Sequence, residues 1–421
     1  MPSAIMDSPS AVTVPAASRA SPLLSAMFLL FAGLVLMRIG LTPLLLDLAI
    51  NYTADQGSIA EKLHPALYGF VLVGFLGLIC FRLALDAWEV RVVRAILAFV
   101  GGLIVLILAA TLAGRGGNAG FLIDTYAGAC FCVLLFLFPP AWRNVVGQVV
   151  VGWLVISAIV ALVEFGLKIR FQPFTETEYS FRPIGFAGHP LDLGLWTAVA
   201  LCFCAATDWS RRTKLAVGAI LLVALGASGA RLALMVGLTS ALIIAIAATG
   251  SGLSARKRLE WRIIALTGAI LVVPFIIGAL YAAGALDRFQ GGIADSNARA
   301  RVDIYRVFDY LSWQDILFGT DIAWVRKIAR DRLQLEFIES SIVIFVSQFG
   351  VIGTLFFVSL FAWLLRVLLT GAKPAVLLGT LVFFIVILSS NGLSSKGSSV
   401  FTLLTLIVAF RPDSKRGQVR R

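Results

Sequence analysis

Long apolar runs alternate with short charged stretches from residue 22 to residue 411. A helix needs about 17–25 apolar residues to cross the hydrocarbon core of a bilayer. About twelve such runs follow one another, at 22–46, 66–85, 93–113, 119–138, 145–167, 189–207, 213–229, 231–249, 263–284, 340–365, 374–389 and 399–411. The pattern predicts an all-α polytopic membrane protein, because only helices or closed barrels satisfy their own backbone in lipid. Between 213 and 249 two short runs meet at "GASGAR" with almost no loop. Residues 1–21 are rich in Ala, Ser and Pro and hold Asp7 but only one basic residue, so they lack the charged start of a secretory signal. They are expected to be a disordered tail, the transmembrane domain to occupy 22–411, and 412–421 to be a basic tail.

Composition agrees with the pattern. With 59% hydrophobic residues, 14% charged residues and a mean hydropathy of +0.94, no soluble domain would cover its apolar surface. Cys80, Cys130, Cys132, Cys202 and Cys204 all lie inside apolar runs. The two C-x-C pairs point to nearly opposite sides of a helix, which reads as core packing and neither a disulfide nor a metal site. The 35 Lys and Arg residues fall mostly in the short loops and tails of one side, from Arg82, Arg91 and Arg143 through Arg211 and Arg256 to Lys373 and Arg411. The positive-inside rule then puts both termini in the cytoplasm and accounts for the net charge of +12 without nucleic acid as a partner.

In this orientation four segments face outward and are too polar to be connectors: 168–188, the turn "GASGAR" at 226–231, the long loop 285–338, and "SSNGLSSKGSS" at 389–399. The long loop reads as ordered. Val302, Tyr305, Phe308 and Leu311 recur every three residues, which predicts an amphipathic helix with Arg299, Asp303 and Arg306 off that face. Acids balance its basic residues, so any anion binding there must come from particular arginines. The bland alternative is a solvated cap whose charges pair with one another. His189 and Pro190, with Asp192 just after them, read as the start of a helix, with the acid complementing its positive end.

"RPIGFAGHPLDLGLW", "ASGARLALMVGL", "RARVDIYRVF…DILFGTD" and "FIESSIVIFVSQFGVIGTLFF", in that order across residues 170–360, resemble the successive blocks of the O-antigen ligase and polysaccharide polymerase superfamily. Glu339-Ser340-Ser341 stands where ligases usually place a histidine, and Ala230-Arg231 where many members have Ser-Arg, so the chain is more similar to the exopolysaccharide polymerase branch. The resemblance implies a periplasmic long loop, an undecaprenyl-diphosphate-linked oligosaccharide as donor, and a hydroxyl of an acceptor glycan as the group it joins. Other polysaccharide assembly and export proteins are implied partners. A diphosphate leaving group needs donors more than it needs a proton, and the guanidinium fork matches its oxygens. Arg231, at a break between two apolar runs, is the first candidate for that role, followed by Arg182, Arg301 and Arg288. Arg38, inside the first run, is a further candidate for diphosphate or glycan binding, with the alternative that, lying near the outer end, it snorkels toward the headgroups.

Glu339, where the long loop re-enters the membrane, is the expected base, since burial there would raise its affinity for a proton. Its alternative is a carboxylate at a helix start capped by Ser340 and Ser341. His189 is expected to position or bind sugar. His64 and His189 lie far apart, no carboxylate pair has ligand spacing, and Gly114-Arg115-Gly116-Gly117 lacks the strand and helix of a nucleotide-binding loop. A metal-independent glycosyltransferase without a cofactor is therefore expected. The alternatives are ligation of glycan to a lipid A core, transport of a lipid-linked glycan, or a non-catalytic envelope scaffold.

Overall fold

The structure is a computed structural model. It describes residues 22–53, 58, 60–115, 120–174 and 181–248, single positions between 256 and 281, and residues 296–412. All regular structure among these residues is helical. Helix α1 is Pro22–Gly40, α2 Pro65–Cys80, α3 Ala87–Leu112, α4 Leu122–Leu137, α5 Pro140–Leu167, α6 Pro190–Cys204, α7 Arg211–Ala227 and α8 Arg231–Ala248. After 296 come α9 Ser296–Asp303, α10 Trp313–Phe318, α11 Ile322–Leu333, α12 Ser341–Leu369, α13 Pro374–Ile387 and α14 Ser399–Ala409. Proline, with φ already near the helical value and no N–H to lose, opens α2, α5, α6 and α13. Asp86 and Glu89 form a reciprocal capping box at the start of α3.

Four helices, α1, α3, α5 and α12, are long and apolar enough to cross a membrane, and α2, α4, α6, α8, α13 and α14 are shorter apolar helices. The expected runs correspond to these helices and α7, with "GASGAR" a real break between α7 and α8. The exception is the ninth run, 263–284, of which only single positions are described. The tails expected at 1–21 and 412–421 lie outside the described residues except for Pro412. The outside of the bundle is apolar: Leu29, Phe75, Leu78, Leu97, Leu112 and Leu355 are each more than half exposed. Apolar side chains exposed on so many helices are rare on soluble proteins and are what lipid tails cover. The chain is thus an all-helical, multi-pass membrane protein.

At the centre stands α6, buried from Leu193 to Cys204 and packed by α5, α7, α8 and α13. Small residues set the spacing. A Cβ on Gly194 would lie 2.5 Å from Ala230, and one on Gly237 would lie 2.4 Å from Leu225. Cys130, Cys132, Cys202 and Cys204 are buried free thiols in this core, whereas Cys80 at the end of α2 is exposed.

The two ends of the bundle differ. One end gathers basic side chains on helix termini. Arg143 pairs with Glu89 and donates to the Phe138 carbonyl at 2.7 Å, Arg411 lies 3.7 Å over the Trp88 ring, and Lys214 and Lys373 reach the carbonyls of Ala205 and Ala206. The other end carries the polar segments and a small cap formed by α9 to α11. The cap has its own core, in which Ile304 and Val307 pack on Ile322, Val325, Ile328 and Ile338. This corrects the face expected from sequence in its first half, for Val302 is 70% exposed and Tyr305 43%, while Phe308 and Leu311 pack against the core as expected. The chain tightens to a 3₁₀-helix over Ile304–Tyr310, where side chains three apart align, and it is the 304/307 row that turns inward.

The cap is joined to the bundle at a kink in α12. Gly350 has φ +70°, and a Cβ there would lie 2.2 Å from the Leu317 carbonyl oxygen of α10. Arg115 donates to the Phe318 carbonyl at 2.8 Å, and the Thr320 N–H to the Ser347 carbonyl at 2.6 Å. A side chain at 350 must therefore both strain the backbone and push α10 away. Gly350→Ala is expected to destabilise the protein by about 2–4 kcal/mol, combining left-handed strain with the clash, read as a lower Tm in detergent and faster proteolysis within 313–320. Gly101→Ala on α3, where a Cβ meets nothing within 4 Å, is expected to leave Tm unchanged or raise it slightly.

Candidate functional site

At the cap-bearing end, the first charged group of α1 is sealed inside the protein. Arg38 is 1% exposed and its Nη2 donates to the Asp124 carboxylate at 2.8 Å, to the Asp124 carbonyl at 3.0 Å and to the Gly397 carbonyl at 2.9 Å. Asp124 sits where α4 is wound as a π-helix over Leu122–Ala127, a form that turns the carboxylate and its own carbonyl toward the same guanidinium. The Asp124 carboxylate also accepts the Tyr52 hydroxyl at 2.6 Å and the His64 backbone N–H at 2.8 Å. Arg38, a candidate binding residue whose alternative was to snorkel outward, points inward and lines a cavity at this end of the bundle. Its partner, 86 residues away in sequence, holds it in place.

This pair anchors the segment 389–399. Thr125 donates to the Ser395 carbonyl at 3.0 Å and Tyr126 to the Leu393 carbonyl at 2.7 Å. Lys396 turns the other way, donating to the carbonyls of Tyr52 at 2.7 Å and Lys62 at 3.0 Å. Ser341, the first residue of α12, binds the same segment through the Ser390 carbonyl and the Leu393 N–H. Burial pushes the Tyr52 phenol up and the Lys396 ammonium down. His64, the N-cap of α2, accepts the Ala66 N–H on Nδ1 and pairs through Nε2 with the Leu41 carbonyl. That pattern assigns the neutral ring with its proton on Nε2, and burial, with Arg38 nearby, pushes its pKa down to about 4.

"RPIGFAGHP" is a turn held from beneath. Glu164, fully buried near the end of α5, accepts backbone N–H groups from Phe171 at 3.0 Å, Ile184 at 2.8 Å and Gly185 at 2.8 Å. Ser157 accepts the Phe186 N–H at 2.9 Å, and Gln172, itself bonded to Thr42, donates to the Gly185 carbonyl at 2.8 Å. Gly185 (φ +53°) passes so close that a Cβ would lie 2.4 Å from the Ser157 carbonyl. His189 caps α6, its Nδ1 accepting the Leu191 N–H at 3.1 Å, so the polarity of this stretch is partly helix initiation as expected.

Between these parts lies a cavity of about 80 Å³. Its lining includes Arg38, Tyr52, His64 and Lys396, then Phe186, Ala187, Asp192 and Thr197, with Trp153, Trp196, Ser395, Gly397, Ser398 and Ser399. The structure brings block one and block two of the sequence together as well. Buried Arg182 donates through Nε to the Ser228 carbonyl at 2.8 Å, so it closes the end of α7 and stands beside "GASGAR". Arg231 is the half-buried first residue of α8.

Glu339 is 47% exposed and paired with Arg301 at 3.0 Å. The burial on which its expected basicity rested is absent, and neither residue lines the cavity. Ser340 caps α12 through the Val343 N–H. Arg288 lies outside the described residues. Among the described residues no group of three His, Cys, Asp or Glu side chains is placed to hold a metal.

Sequence reasoning missed Asp124, Glu164, Tyr52 and Lys396. An acid inside each of two apolar runs was the available signal for Asp124 and Glu164, since an ionisable residue in a span is placed there for a partner. No family model matches the sequence, and no curated protein matches it.

Removing one member of the Arg38–Asp124 pair leaves a buried charge. Arg38→Ala is expected to cost about 3–5 kcal/mol, measured by thermal unfolding in detergent, whereas Arg38→Met with Asp124→Leu recovers most of that loss. For His64, stability is complete above the unfolded-state pKa near 6.5 and falls as pH drops toward 4, because the unfolded chain takes the proton first. The loss reaches about 3 kcal/mol. His64→Asn, which keeps a capping oxygen, is expected to flatten Tm between pH 6.5 and 4 relative to wild type.

Proposed function

We propose that the chain is a metal-independent glycosyltransferase of a bacterial inner membrane, with both termini cytoplasmic and the cap periplasmic. It joins oligosaccharide repeat units from an undecaprenyl diphosphate donor to an acceptor glycan, in the manner of an exopolysaccharide polymerase. The observation that carries the reading is the cavity. Segments scattered over the whole chain converge on one end of an apolar bundle, and there they place two cations, a carboxylate, two indole rings and several hydroxyls on the walls of one space. Aromatic faces and hydroxyls suit a sugar, and cations suit a phosphate leaving group.

Each group has work in this scheme. Lys396 uses two of its three N–H donors on carbonyls and keeps one for a phosphate oxygen. Arg231 and Arg301 stand at the same end of the bundle as further diphosphate contacts, with Glu339 orienting Arg301 through their ion pair. Arg182 and His189 shape the site through the turn and cap they hold. The end bearing Arg143, Lys214, Lys373 and Arg411 faces the cytoplasm by the positive-inside rule, which leaves the cavity on the periplasmic side, where a flipped lipid-linked glycan is presented.

The test is reconstitution in liposomes with the lipid-diphosphate oligosaccharide extracted from host cells deleted for this chain, followed by sizing of the products. A ladder of repeat units is expected. A single addition to a supplied lipid A core supports ligation instead, and donor that crosses the bilayer without a new glycosidic bond supports transport. If the protein, folded and inserted, forms no glycosidic bond with either acceptor, the transferase reading fails. Arg231→Ala is expected to lower the rate by about 10²–10³-fold, the usual effect of losing one donor to developing charge, with protein level and Tm held.

A further inference from the structure

Three carboxylates on the membrane helices at this end of the bundle, Asp124, Glu164 and Asp192, are buried or half-buried, and two are fully employed. Asp124 accepts from Arg38, Tyr52 and the His64 N–H, and Glu164 accepts three backbone N–H groups. The third, Asp192, lines the cavity, is half-buried, has His189 as an electrostatic neighbour, and accepts no hydrogen bond among the described residues. An unpaired carboxylate drawn partly out of water is costly, and such groups persist where a ligand or a reaction uses them. The start of a helix lowers that cost but leaves the carboxylate oxygens open.

The other ionisable groups facing the cavity cannot take a proton. Arg38 and Lys396 have no free lone pair while charged, the Tyr52 hydroxyl is already donated to Asp124, and both nitrogens of His64 are engaged with Ala66 and Leu41. His189, next along the chain, has Nδ1 committed to the Leu191 N–H. The space of about 80 Å³ has room for roughly half a dozen waters, the hydration that one sugar ring displaces. Trp153 and Trp196 offer it flat apolar surface, and Ser398, the N-cap of α14, makes no side-chain capping bond and leaves its hydroxyl to the cavity.

Resting on the transferase reading, we propose that this cavity is the acceptor-sugar subsite and that Asp192 is the catalytic base. The acceptor hydroxyl oxygen attacks the anomeric carbon of the donor sugar, and its O–H electron pair becomes available as the proton passes to an Asp192 carboxylate oxygen. The bond from the anomeric carbon to the phosphate oxygen breaks, and its electron pair leaves on the diphosphate, beside Lys396. Protonated Asp192 then returns its proton to water.

The experiment uses the full chain in liposomes with the donor extracted as above. Asp192→Asn is expected to lower kcat by about 10²–10⁴-fold with KM little changed, and to remove the acidic limb of the pH–rate profile, which a merely structural role would leave in place. Asp192→Glu is expected to restore roughly tenfold or more of that loss because it supplies the same base from a longer arm. If wild type is active and folded Asp192→Asn keeps its rate and its acidic limb, the base assignment is overturned while the transferase reading stands. If wild type itself makes no product, the transferase reading falls first. Should Asp192→Asn fail to fold, Ser398→Trp decides by filling the cavity from α14. Loss of transfer with normal Tm supports the subsite, and a wild-type rate with the space filled overturns it.

Discussion

The buried pair of Arg38 and Asp124 is the interaction on which the cap-bearing end of this protein depends. Two charges withdrawn from water are tolerable only when they meet each other and most of the remaining donors and acceptors find partners. Here the partners are the Tyr52 hydroxyl, the His64 N–H, the Asp124 carbonyl and the Gly397 carbonyl, and only the Arg38 Nε of the pair is left without one among the described residues. Satisfying the pair therefore pulls the loop after α1, the irregular start of α4 and the segment before α14 onto one point. The wall of the cavity is the by-product of that demand.

The same rule governs the rest of this end. Backbone groups at the edge of a bilayer cannot rely on water, so non-helical chain there must be bonded to protein. Glu164 and Ser157 do this for the turn before α6, Ser341 and Tyr126 for the segment 389–394, and Arg182 for the end of α7. All but Arg182 are polar side chains on helices reaching back to a loop, and Arg182 reaches from its loop to a helix end. The loops consequently lie on the bundle and do not project from it, and the space they leave is small and defined. Asp192 stands out because it lines the cavity and accepts no hydrogen bond from any of these loops among the described residues.

How much of this was legible in the sequence depends on the range of the interaction. Helix positions were legible because hydropathy and proline placement are local, and "GASGAR" was visible as a break for the same reason. The opening of α6 at His189 and Pro190 was likewise readable. The face of the cap was read correctly at Phe308 and Leu311 but wrongly at Val302 and Tyr305, which fit a helical stripe as well as Ile304 and Val307 do. Only packing against Ile322 and Val325 selects between them. Glu339 was expected in a buried place because it adjoins a span, but the chain leaves it at the surface with Arg301.

By itself the sequence determined that this is an all-helical membrane protein, where most helices run, and which end of each carries charge, because those follow from the free energy of putting apolar and charged residues into lipid. Only the tertiary structure decided that Arg38 points inward to Asp124, that Glu164 holds the turn beneath "RPIGFAGHP", and that Asp192 and Lys396 face one cavity. Those are pairings between residues far apart in the chain. No local preference specifies them, and they emerge only when packing brings these distant segments together around each buried charge.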